Sequence, residues 1–274
     1  MRFGNLKWKA RSKMGTDRDW ERWGAKSPYF GVLSVQRFSE ARFDEEARAE
    51  FFESGEAHVR SLFAVIDRRE GRVWRPRIAV DLGCGVGRLA IPLARSSDKV
   101  IAVDVSPSML FEVERNCRRC GVANLSAVLS DDSLSKVPDG VDFFHSYLVL
   151  QHIPTSRGMR LIRQMAGRIS EGGYVGFQVY TGCNAGLWLR LMVRLRYVFK
   201  PLNWLRNILR KRPVFEQAMQ LHVYPLGALL RLLRENGFVE VELFLDTEDG
   251  GNFESAFLLA KKQVVASSIV NRYS

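Results

Sequence analysis

Seven consecutive residues, Asp81-Leu82-Gly83-Cys84-Gly85-Val86-Gly87, set an acid two positions ahead of three glycines at alternate positions. The chemistry of such a stretch is that of bare backbone. Without a Cβ the chain can turn with positive φ, and a ligand can come close to the main chain. An apolar run, 99–103, then ends in Asp104 roughly 20 residues past the loop. A carboxylate there can accept a ribose hydroxyl pair, and it would repel the 2′-phosphate of NADP. The spacing is G-x-G-x-G, not the G-x-G-x-x-G of a dinucleotide loop. Read alone, the loop is equally compatible with a strand-to-helix turn that holds no ligand. Four rings, His152, Tyr180, His222 and Tyr29, could serve a reaction needing a base, and a neutral histidine suits that work near pH 7.

These groups need a frame that brings them to one edge. The apolar runs 77–82, 99–103, 125–129, 141–150 and 174–180 read as strands, alternating with helical patterns at 89–95, 107–121 and 157–169. Ser106-Pro107 is a capping pair with proline at the first helical position, and Glu171-Gly172-Gly173 is a glycine exit. Alternation of this kind predicts parallel pairing with right-handed crossovers, an α/β doubly wound sheet whose ligand edge is the carboxyl end of its strands. A long helical run, 40–68, precedes the first strand. A final helix, 226–235, leads into two strands, 238–244 and 253–260.

Together, Asp81-Leu82-Gly83-Cys84-Gly85-Val86-Gly87 and Val103-Asp104-Val105-Ser106 resemble the class I S-adenosylmethionine (SAM)-dependent methyltransferases. The segment Phe143-Phe144-His145-Ser146-Tyr147-Leu148-Val149-Leu150-Gln151-His152-Ile153-Pro154 is similar to the stretch after the fourth strand in many small-molecule members. The resemblance spans 77 to about 262 and implies a Rossmann-like seven-stranded sheet with an antiparallel last strand. It implies SAM as cofactor, with the methionine part backed by the loop of Asp81, Gly83, Cys84, Gly85 and Gly87 and the ribose held by Asp104 beside Val105. It further implies Asp131, or Asp132 one step on, as acceptor for the adenine amino group. Ser146 and Tyr147 would stand next to the methyl-donor sulfur, with His152 near the pocket wall. The leading helices would cover the cofactor, making Trp20, Trp23, Tyr29, Phe30 and His58 lid candidates, each also readable as packing. Gln178 and Tyr180 would face the pocket mouth. His152 and Tyr180 are the candidate catalytic residues, although His152 can equally be read as a loop-holding residue. No Asn-Pro-Pro-Tyr tetrad follows the fourth strand, which favours oxygen over a base nitrogen as methyl acceptor.

Composition bounds the remaining classes. A chain of 274 residues, 46% hydrophobic, can form one α/β domain with an elaboration. It has no 18-residue apolar run that would span a bilayer. The basic amino terminus lacks the apolar core of a signal peptide, so the expected location is cytoplasmic. Cys117 and Cys120 form a C-x-x-C on a predicted helix with no second ligand pair nearby, and no metal site is expected. The net charge of +11 biases the protein toward anionic partners. Much of it lies in 185–212, where Arg190, Arg194, Arg206, Arg210 and Lys211 are interleaved with Trp188, Tyr197 and Trp204. Three roles stay open for this stretch: a lid over the pocket, a contact with an anionic membrane surface that would make the protein peripheral, or a nucleic-acid contact.

The expected layout is a basic arm and helical cap over 1–75, a SAM-binding domain over 76–263 with a helical insertion at 184–222, and a tail from 264. The expected function is methyl transfer to a small-molecule, glycan or lipid-linked acceptor. The alternatives are a non-catalytic SAM-fold protein that binds anionic partners, and an RNA methyltransferase, although nucleic acid is the less favoured partner.

Overall fold

The computed structural model of the chain describes residues 15–184, 220–248 and 250–264, with 186, 201 and 205 as isolated positions. The basic arm before residue 15, most of the 184–222 insertion and the tail from 265 lie outside the described residues.

Alternation of buried apolar side chains builds one seven-stranded sheet. Its strands are β1 (Ile78–Leu82), β2 (Lys99–Asp104), β3 (Leu125–Leu129), β4 (Val141–Ser146), β5 (Ile169–Cys183), β6 (Phe238–Glu248) and β7 (Phe253–Lys262), in the order β3-β2-β1-β4-β5-β7-β6. The first five pair in parallel, and β7 runs antiparallel to both β5 and β6. The order reverses between β1 and β4, which opens a crevice at their carboxyl ends.

Successive residues of a strand face opposite sides, so the two faces collect different partners. Val80, Leu82, Ile101, Val103 and Phe144 pack with α6 (Thr155–Arg168) and α7 (Leu226–Glu235) through Leu161, Ile162, Leu229 and Leu233. Ala79, Val100, Ala102 and Phe143 pack with α3 (Glu45–Glu70), α4 (Ala90–Arg95) and α5 (Pro107–Arg119) through Val59, Leu62, Phe63, Leu93, Leu110 and Val113. Each Val, Leu, Ile or Phe among them contributes about 1.5–3 kcal/mol on burial. Two helices, α1 (Gly15–Lys26) and α2 (Pro28–Val32), complete the leading segment. Tyr29 of α2 stacks on Phe43 at 3.9 Å and meets Phe51 of α3 edge-on at 5.2 Å.

Of the boundaries that differ from the sequence expectation, three have a local cause. The run from 40 begins as a short 3-10 turn at Glu40–Arg42, preceded by another at Gln36–Phe38, and α3 starts at Glu45 because the Asp44 side chain accepts from Ala47 N at 2.8 Å. The helix expected to reach 169 ends at Arg168, and β5 starts at once. The Gly172-Gly173 pair then lies inside β5, where its register with β4 shifts. β4 ends at Ser146 instead of 150, since Leu148 takes a left-handed φ of 60° that no strand can continue through.

Candidate active site

At the crevice, β1 gives way to Gly83, Gly85 and Gly87, with φ of 76°, 52° and 92°, a backbone reserved for glycine. Gly83 N and Cys84 N donate to Val103 O at 2.7 and 3.1 Å, which fixes the loop against β2. Asp104, 9% exposed, accepts from Gly85 N and Ser106 N at 2.9 Å each, one bond to each carboxylate oxygen. Burial pushes the Asp104 carboxyl up to about 6, while those backbone donors oppose the rise.

Gly83, Gly85 and Asp104 line a cavity that continues past Tyr147 and Val149, after β4, to Arg88. Arg88 is 5% exposed. Its Nη1 donates to Ser54 Oγ at 3.3 Å, its guanidinium carbon lies 5.9 Å from the Tyr147 ring centre, and its Nε is buried without a partner. Burial lowers its pKa from the usual guanidinium value. The cavity wall thus holds a buried cation.

Helix α1 supplies the other wall through Thr16, Asp17 and Trp20. Asp17 pairs with Arg157 at 2.6 Å, and Arg157 also reaches Asp132 at 2.7 Å. Glu21 accepts from Ser106 Oγ at 2.7 Å and Ser108 Oγ at 2.9 Å, placing a carboxylate at the amino end of α5 where the helix dipole favours it. Gly24 lets α1 approach, since a Cβ there would stand 2.5 Å from Ser106 Oγ.

A family described as "Methyltransferase domain" matches residues 79–173, the part of the chain that builds the loop, Asp104 and the segment after β4. Over that stretch the chain is similar to methyltransferase domains. The trans-aconitate 2-methyltransferase of Methylobacterium radiotolerans is 32% identical over 106 residues, 38% of each chain. A ubiquinone biosynthesis O-methyltransferase of Ralstonia nicotianae is 27% identical over 124 residues, 45% of this chain and 51% of that one. A tRNA N(3)-methylcytidine methyltransferase of Schizosaccharomyces pombe is 30% identical over 111 residues, 38% and 45%. These alignments span about half or less of the length of the curated relatives. Magnesium protoporphyrin IX methyltransferase from Synechocystis, solved with bound SAM, shares the fold, with a TM-score of 0.56 at 15% identity over 92% of this chain and all of that one.

In this chain, Asp81, Gly83, Cys84, Gly85, Asp104, Val105 and His152 all line the cavity. Cys84 is buried among carboxylates, which holds its thiol well above the ordinary range. Gly87 instead serves packing, because a Cβ there would meet Val113 of α5 at 2.6 Å. Ser146 is fully buried and donates to Leu82 O at 2.9 Å, tying β4 to β1. His152 donates from Nδ1 to Gln220 O at 2.9 Å, meets Trp20 edge-on at 5.0 Å, and is driven by burial down to a pKa of about 4. It is a neutral ring whose Nε2 remains an acceptor.

The other expected residues are placed elsewhere. Asp131 accepts from the backbone and hydroxyl of both Ser133 and Ser135, bonds that hold its pKa down to about 2 and make it the cap of its own turn. Asp132 is engaged by Arg157. Tyr180 stacks on Phe253 at 4.9 Å and is not part of the cavity wall. Gln178 is buried, and its Oε1 accepts from Leu148 N at 3.2 Å, so it supports the left-handed turn. Of the lid candidates, Trp20 lines the cavity, whereas Trp23, Tyr29 and Phe30 are buried in packing. The Tyr29 hydroxyl lies 2.7 Å from Glu112 and is pushed up to about 12 by burial and that carboxylate. Arg88 and Arg157 were given no role from the sequence. An arginine one place after the last loop glycine was the available signal for the first.

Proposed function

We propose that this chain binds SAM in the cavity and transfers its methyl group to an oxygen of a small-molecule, glycan or lipid-linked acceptor. Asp104 carries the proposal. Backbone donors from Gly85, Val105 and Ser106 hold its carboxylate in place at the cavity wall with acceptor capacity to spare, so it suits ribose hydroxyls beside a loop with no side chains in the way.

The lining also fits the amino-acid end of the cofactor. The buried Arg88 guanidinium at the cavity wall suits the methionine carboxylate, since a desolvated guanidinium gains most from a charged acceptor. When bound, SAM supplies a methyl carbon already made electrophilic by its sulfonium. The chain's own task is then to orient the acceptor and exclude water, and orientation contributes roughly 7–11 kcal/mol in well-placed intramolecular models. Helix α1, held by Arg157 and by the amino end of α5, supplies the exclusion. Tyr147-Leu148-Val149-Leu150 in place of a tetrad for base nitrogens supports oxygen as acceptor. The basic, aromatic 185–212 stretch supports contact with an anionic membrane surface near a lipid-linked acceptor.

Titration calorimetry with SAM tests the proposal. Binding at micromolar concentration is expected, and no heat at tens of micromolar overturns it in favour of a binding protein on the same fold. The tRNA-modifying relative and the net charge make RNA the second acceptor class. A steep fall of tRNA binding with salt would favour that reading.

A further inference from the structure

Beneath the cavity three side chains from three elements form a hydrogen-bonded line. Asp81 and His145 are register partners on the adjacent parallel strands β1 and β4, and both point to the α3 side of the sheet. Asp81 Oδ1 lies 3.0 Å from His145 Nδ1, and His145 Nε2 lies 3.1 Å from Nε2 of His58 on α3. Asp81 is 2% exposed and His145 fully buried. None of these contacts is needed for the sheet: an apolar pair would fill that position more cheaply than a buried carboxylate and imidazole.

The partners fix the protons. A carboxylate only accepts, so His145 Nδ1 carries a hydrogen, and a neutral His145 leaves Nε2 bare. His58 must then donate from Nε2, which leaves its Nδ1 as an acceptor with no partner among the described residues. The His58 residue is half-buried, and it stands directly behind the cavity lining. It packs at 4.3 Å on Tyr147, and Tyr147 lines the cavity.

We propose that His58, His145 and Asp81 are a proton-accepting relay for the methyl transfer, with His58 as the base and Asp81 and His145 positioning it and holding the charge. The inference rests on the methyltransferase reading above. As the acceptor oxygen bonds to the methyl carbon, the carbon–sulfur electron pair stays on sulfur and the hydroxyl proton passes to His58 Nδ1. The hydrogen on His58 Nε2 moves to His145 Nε2. His58 ends neutral, and the positive charge rests on His145 against Asp81, the arrangement by which a carboxylate stabilises an imidazolium.

The surroundings demand this division. Burial above all disfavours charge on His58, His145 and then Arg88, on the loop after β1, add to it, and its pKa is pushed down to about 2. The facing groups from the remaining elements are Phe257 of β7 and Tyr147, which has the acids Glu248 and Asp246 of β6 in its field. A lone His58 would be a poor base at neutral pH. Coupled to His145 and Asp81, it need not keep the proton it takes.

Long-range 15N–1H spectra of the histidine rings in the full chain at pH 7 test the line without any ligand. The expected tautomers are Nδ1–H for His145 and Nε2–H for His58. The opposite pair, with His145 donating from Nε2, overturns the relay. The second arm measures transfer of tritiated methyl from SAM into cell extract. His58→Gln and Asp81→Asn should each lower the rate at pH 7 by a hundredfold or more, with recovery of about tenfold per pH unit as the acceptor ionises unaided. The calorimetric SAM affinity of His58→Gln should stay within twofold of the parent, which also shows that the variant is folded. A His58→Gln rate equal to the parent's overturns the relay. Failure of the parent chain to bind SAM overturns the methyltransferase reading instead, and the ring tautomers then decide the relay alone.

Discussion

Asp104 is costly to ionise where it sits, and ligand hydroxyls would lower that cost. With its carboxyl pushed up to about 6, SAM affinity should fall as pH drops through 6, approaching about tenfold per unit below it, because only the carboxylate offers both oxygens as acceptors. Calorimetry between pH 7.5 and 5 would show the slope, and Asp104→Asn should abolish it while weakening binding at least tenfold. Arg88→Leu makes a complementary prediction. Losing one charge-assisted contact costs about 1.5–3 kcal/mol, so SAM should bind about 10- to 150-fold more weakly. Methylthioadenosine, which lacks the amino-acid part, should bind as well as before. The loop and Asp104 were legible in the sequence because strand, glycines and acid follow one another within a single βαβ unit. Asp131 misled because Ser133 and Ser135, a local Ser-x-Ser, satisfy it first. His58 and His145 stand 87 positions apart, and no local pattern announces that contact.

Helix α1 covers the cavity through a few polar anchors, so its hold is adjustable. Arg157, with 8% of its side chain exposed, sits between Asp17 and Asp132. Arg157→Ala leaves Asp17 facing a partly buried void, at a cost of about 2 kcal/mol or more to the docked state. Amide exchange over residues 15–26 should quicken by roughly thirtyfold, with the sheet unchanged. At this scale the sequence was informative wherever an element is self-contained. The helix 226–235 carries its own apolar stripe and was read to the residue. Boundaries decided by tertiary contacts were not readable. The end of β4 depends on Gln178 from β5 and on the Tyr224 hydroxyl, which lies 2.8 Å from both Leu150 O and Ile153 O.

For the molecule as a whole, the parallel order and antiparallel last strand were readable because the alternation of periods leaves few topologies. The charge of +11 is a property of the whole chain too. Changing Arg194, Arg206, Arg210 and Lys211 to Glu should weaken flotation with anionic vesicles, and unchanged flotation would remove the membrane contact from the proposal. Among the described residues no helix is long and apolar enough to cross a bilayer. The glycine loop has a last implication for how this protein is dissected. A Cβ on Gly83 would stand 2.2 Å from a Val149 methyl, and one on Gly85 would stand 2.4 Å from a Val32 methyl. Alanine at either position therefore collides with the protein's own lining before any guest arrives, and would report a damaged turn, not a lost handhold. The informative edits lie on the opposite wall, where shaving Val32 or Val149 to alanine makes room and should leave capture of the nucleoside intact or tighter.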